Sequence, residues 1–152
     1  MEINGLPLHA FVVHAAVVFA PLAALAGLLY ALVPRWRDWL RWPLAGLAAV
    51  ALVAIWVSYL SGEEVEEANP TFYTDPTRHE MLETHQSRAG ILRLSVTGFA
   101  VVAFVAAWFH TRSGPTRVVL SVLLVATAAL TFVYTILTGD AGAQLKWAGY
   151  QS

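Results

Sequence analysis

Five histidines are the side chains of this chain best suited to chemistry near neutral pH. Two of them, His9 and His14, lie in a stretch from Ile3 to Pro34 that contains no Asp, Glu, Lys or Arg. Ionisable groups at membrane depth are costly and usually carry function. His79 and His85 precede a later apolar stretch, and His110 follows it. Two neutral imidazoles on facing helices satisfy the axial positions of a b-type haem. With no cysteine in the chain, a Cys-ligated cluster, a thiolate zinc site and covalent haem attachment are all excluded. The expected cofactor is therefore haem b, held non-covalently.

Spacing ranks the ligands. On a helix, five residues turn about 140° and six turn about 120° in magnitude. Neither His9 with His14 nor His79 with His85 shares one face, so each pair splits. Depth counted from the far helix ends favours His9 with His85, whereas burial within the apolar run favours His14. We expect His14 and His85 to ligate the iron, with His9 third and His79 last. Gly90, beyond His85, leaves room for a flat ring. Arg88 and Arg93 are candidates to pair with haem propionates, because guanidinium forks carboxylates well. His110 reads as the end of its helix at the interface.

The elements that must position these groups are four apolar spans of the roughly 20 residues a bilayer core requires. They run over about 8–33, 42–62, 89–109 and 118–139, and in lipid they should be helices. The expected fold is all-α and integral to the membrane: one domain over residues 1–152, built as an up-down-up-down four-helix bundle. Between the second and third spans, residues 62–88 should form an extended outer helical hairpin. Asn69-Pro70 reads as its turn and Asp75-Pro76 as the start of a helix. Pro21 lies inside the first span and should free the carbonyl of Val17. No internal repeat is visible in the sequence.

Charge sets a direction. Arg35, Arg37, Arg41, Arg112 and Arg117 fall on one side, against Asp38 alone. Glu2, Glu63, Glu64, Glu66, Glu67, Asp75, Glu80, Glu83 and Asp140 fall on the other. The positive-inside rule places the arginines in the cytoplasm and both termini outside. Trp36, Trp39, Trp42 and Trp108 then form a cytoplasmic aromatic belt, with Tyr59, Phe72, Tyr73, Trp147 and Tyr150 at the outer one. The first span lacks a positive region before it and is longer than a signal core, so we read it as retained. A formal net charge of −1 gives no basic face for nucleic acid.

Several short motifs resemble a family of small bacterial membrane proteins known as domain of unknown function 2231. They are Gly5-Leu6-Pro7-Leu8-His9 with His14, Ser61-Gly62, His85, and Thr138-Gly139-Asp140-Ala141-Gly142 followed by Tyr150. Ala10 and Ala15-Ala16 stand where that family usually carries Pro and an aromatic-Pro pair. The resemblance implies four spans and outer-side histidines. It also implies an association with redox modules, since members occur fused to Rieske or cytochrome c domains.

These observations point to a cytochrome-like electron-transfer protein, exchanging electrons at its outer face with quinone and an outer redox protein. Two other readings remain. One is a divalent-metal binder or transporter using Glu63, Glu64, Glu66, Glu67, His79 and Glu83. The other is a structural subunit of a larger complex or a homo-oligomer. No nucleophile with a paired base, and no phosphate-cradling loop, argues for an enzyme.

Overall fold

In the computed structural model, residues 2–3 and 6–148 are described, with side chains from Leu8 onward. Gly5 and Tyr150 lie outside them. A two-residue antiparallel pairing, Glu2–Ile3 with Leu6–Pro7, leads into the first helix. The helices are α1 (Leu8–Leu32), α2 (Arg37–Glu67), the short α3 (Thr71–Thr74), α4 (Pro76–Trp108) and α5 (Pro115–Trp147). Four of these are long and apolar enough to cross a membrane.

The helix ends follow local chemistry. Pro34 closes α1 and opens a single 3₁₀ turn to Trp36. The Asp75 carboxylate caps α4, accepting from the Thr77 N–H at 2.9 Å and the Arg78 N–H at 3.4 Å, with Pro76 in the first turn. Gly114, at φ 69°, makes the turn into α5, a backbone conformation that suits glycine. Pro21 is accommodated within an unbroken α1. At about 1.5 Å per residue, the 33-residue helices α4 and α5 exceed the hydrocarbon core and extend past it. The α2–α4 connection is the protruding hairpin expected from the sequence, and α5 runs further than expected, to Trp147.

α1 packs against α2 and α5, and α4 against α5 and α2. This leaves α1 diagonal to α4, as the up-down order requires. Small residues line the core: Ala20, Ala23, Ala48, Ala51, Ala103 and Ala128 are fully or almost fully buried. Apolar side chains on the outside, such as Val18, Leu94, Val118 and Val122, face the lipid. In lipid the helices gain nothing by hiding apolar surface from water, so contact depends on backbones approaching closely. Gly27 is the tightest such point. A β-carbon there would lie 2.7 Å from Cε2 of the buried Phe99 ring, so α4 seats its largest core side chain on the bare backbone of α1.

Candidate functional site

His9 lies on the core stripe of α1. Ala16, Ala20, Ala23 and Gly27 follow it at seven, eleven, fourteen and eighteen residues, all buried. Those steps return to within about 40° of the same direction. His14 stands roughly 140° away by the same count, and it is exposed, with its Nδ1 only 2.5 Å from the Ala10 carbonyl of its own helix. The expectation that His14 is the buried histidine of α1 is therefore corrected: His9 takes the inward face and His14 the outward one. On α4, His85 is followed at the same four spacings by Leu92, Val96, Phe99 and Ala103, also buried. It occupies the equivalent position.

Each imidazole docks on the neighbouring helix of its own hairpin. The Nδ1–H of His9 donates to the Ser58 carbonyl at 2.9 Å, with Ser61 Oγ at 3.3 Å. A β-carbon on Gly62 would meet His9 Cε1 at 3.3 Å. The Nδ1–H of His85 donates to the Thr138 carbonyl at 3.1 Å, and a β-carbon on Gly142 would meet its Cε1 at 3.0 Å. In both cases the accepting residue lies one helical turn before the glycine. The match continues down the helices: Leu44, Ala48, Ala51 and Ile55 on α2 correspond to Leu124, Ala128, Thr131 and Thr135 on α5, all buried. The chain is thus two equivalent helical hairpins, a repeat of packing register that the sequence conceals.

The two imidazoles lie on the inward stripes of α1 and α4, at the same end of the bundle. With Nδ1 committed to a carbonyl, the remaining Nε2 of each ring carries the lone pair, and it has no hydrogen-bond partner among the described residues. The hydroxyls of Ser58 and Thr138, on the two residues whose carbonyls orient the rings, are buried and also unpartnered. Thr131 Oγ1, further down α5, is a third buried hydroxyl without a partner.

The other candidates fall elsewhere. His79 is 3.5 Å from Glu83, four residues on, and tilted against Tyr73 at 5.6 Å between ring centres. Gly90 faces open space and forms no wall of the histidine site. Arg88 donates from Nη1 to the Leu137 carbonyl at 3.0 Å. Arg93 lies over Tyr59 at 4.2 Å and over Trp56 at 4.9 Å, stacked against α2. In the outer hairpin, Glu66 accepts hydrogen bonds from Tyr73 Oη and Gln86 Nε2, and that carboxylate holds the Tyr73 phenol above its usual range. Among the described residues no group of three or more His, Asp or Glu converges as a metal site would require.

His110, read from sequence as a plain helix end, has a larger role. Its Nε2–H donates to Asp38 at 2.7 Å, and its Nδ1 is 3.1 Å from Tyr30 Oη. Tyr30 is buried and also reaches the Ala106 carbonyl at 3.0 Å. This network ties α1, α2 and α4 together at the end opposite His9 and His85. Four apolar membrane-crossing helices with paired histidines at one end and arginines at the other define a small multi-pass membrane protein. The chain belongs to the family of predicted membrane proteins designated DUF2231, whose model matches residues 5–150. No curated protein and no solved structure matches it.

Proposed function

We propose that this protein is a b-type cytochrome of the membrane, with His9 and His85 as the two axial ligands of one haem. One observation carries the proposal: the equivalent histidine of each hairpin has its Nδ1–H bonded to a carbonyl and its Nε2 left over. Ligating histidines are held in this way, which fixes the tautomer and raises the basicity of the ligating nitrogen. A bare ion needs more protein ligands than two imidazoles supply. Haem brings four nitrogens of its own and needs only the axial pair. The orphaned, buried Ser58 and Thr138 hydroxyls fit a bound group at this end.

When bound, the haem supplies a reversible one-electron couple. The chain's own residues hold and tune it. The Ser58 and Thr138 carbonyls set the ring orientations, and the apolar core below would keep water from the iron. Arg88, three residues beyond His85, would be the cation for a propionate. All of this lies at one end of the bundle, so electrons exchange at that face with quinone and a redox partner protein. The positive-inside asymmetry supports reading it as the outer face of a bacterial inner membrane, with both termini outside.

The test is an oxidised and dithionite-reduced visible spectrum of protein purified in mild detergent from haem-replete cells, with a pyridine haemochrome for stoichiometry. A low-spin spectrum at one haem per chain is expected. A colourless protein refutes the proposal.

A further inference from the structure

The opposite end of the bundle contains a cleft of about 400 Å³ between the α1–α2 turn and the α4–α5 turn. Its walls carry Arg37, His110, Thr111, Arg112, Ser113 and Arg117. Arg37 is the informative one. It is only 8% exposed, its guanidinium lies 4.6 Å over the Tyr30 ring, and it has no hydrogen bond or ion pair among the described residues. A buried charge is ordinarily paired, because desolvation without a partner is costly. A single carboxylate, Asp38, lines the cleft, and it is engaged by His110. The cation–π contact with Tyr30 uses the face of the guanidinium and leaves its in-plane N–H donors unmatched.

Two further features favour an anion. Arg112 and Arg117 are exposed at the mouth. The N-terminus of α5, whose first turn has no side-chain cap, opens at the same place and contributes partial positive charge. The level is also telling. Trp39, Trp42 and Trp108 stand exposed around this end, as indoles do at the depth of lipid headgroups.

We infer that this cleft binds a phosphate group, with the Arg37 guanidinium as its buried anchor and Arg112 and Arg117 closing over it. The phosphate comes either from the headgroup of an anionic phospholipid or from free phosphate. Planar guanidinium forks suit phosphate oxygens, and Ser113 and Thr111 add neutral donors. The inference is independent of the histidine site.

The full-length protein is titrated in two arms. In neutral detergent, inorganic phosphate is added at fixed ionic strength and the thermal midpoint is followed. In nanodiscs, phosphatidylglycerol is introduced into phosphatidylcholine, and native mass spectrometry counts the lipid retained. Arg112→Gln and Arg117→Gln, both at exposed positions, should each weaken binding roughly tenfold or more, the effect of losing a charge-assisted hydrogen bond. Arg37→Lys keeps the charge and loses the fork, and should weaken it similarly. Arg35→Gln removes the same charge outside the cleft and should leave affinity within about twofold. A response in the nanodisc arm alone identifies a lipid headgroup, and a response in detergent alone identifies a soluble anion. The inference is overturned if neither arm separates wild type from Arg112→Gln and Arg117→Gln, or if Arg35→Gln weakens binding as much as they do.

Discussion

The two hairpins solve one packing problem with different side chains. In α1–α2 the inward face of the second helix reads Ala51, Ile55, Ser58, and in α4–α5 it reads Thr131, Thr135, Thr138. His9 has a hydroxyl, Ser61, beside it, whereas the matching position near His85 is Ala141. The glycine beneath His85 is tighter than the one beneath His9. What the hairpins keep in common is a histidine, a carbonyl one turn before a glycine, and the glycine itself. The difference teaches that backbone approach, and not polarity, sets where each imidazole sits.

The largest effects test whether the hairpins are equal partners. His9→Ala and His85→Ala should each abolish the reduced-haem spectrum, while His14→Ala leaves it unchanged. A spectrum that survives His9→Ala and is lost in His14→Ala would restore the pairing suggested by burial in the sequence.

Next comes the joint between the hairpins. Phe99→Ala should destabilise by about 3 kcal/mol, at the low end for a buried aromatic because only packing is lost in lipid. Gly27→Ala should destabilise by about 1–2 kcal/mol, as the Phe99 ring is displaced and helix propensity offsets part of the clash. Reversible unfolding in mixed detergent measures both.

Smaller effects separate the two glycines. Gly142→Ala is expected to destabilise by about 1 kcal/mol, because its β-carbon crowds His85 at 3.0 Å. Gly62→Ala meets a ring atom at 3.3 Å. That looser contact and the helix-propensity gain should leave it within about 0.5 kcal/mol of wild type. Equal effects at both positions would remove the asymmetry between the hairpins. The smallest change is Ser61→Ala, which copies Ala141 into the first hairpin. Losing the Ser61 Oγ contacts with His9 at 3.3 Å and with the Ser58 carbonyl at 3.2 Å should lower stability by less than about 1 kcal/mol and leave any haem in place.

Much of this molecule was legible in its sequence. Apolar runs of span length, three of them charge-free and the third carrying Arg93 alone, located four helices, and proline, Asp75 and Gly114 placed several of their ends. That His85 turns inward on α4 was legible as well. The choice of His9 over His14 was not, because α1 is apolar all round and hydrophobic periodicity gives such a helix no inward face. The missed signal was small size: Ala16, Ala20, Ala23 and Gly27 fall in register with His9. The network around His110 was hidden for a different reason. His110 stands 80 residues from Tyr30 and 72 from Asp38, and Ala106 stands 76 from Tyr30, so nothing local joins them.

By itself the sequence determined that this is a four-span membrane protein, because hydrocarbon thickness and backbone hydrogen bonding leave a long apolar segment no alternative to a helix. It also determined the asymmetry of arginines at one end and histidines at the other. Only the tertiary structure decided which histidine of α1 shares the inward face with the core as His85 does on α4, that the two hairpins share one register, and that Arg37 is buried without an ion pair among the described residues. Those depend on how far each helix is rotated about its axis, which is settled by the fit of glycine and alanine backbones against neighbouring helices.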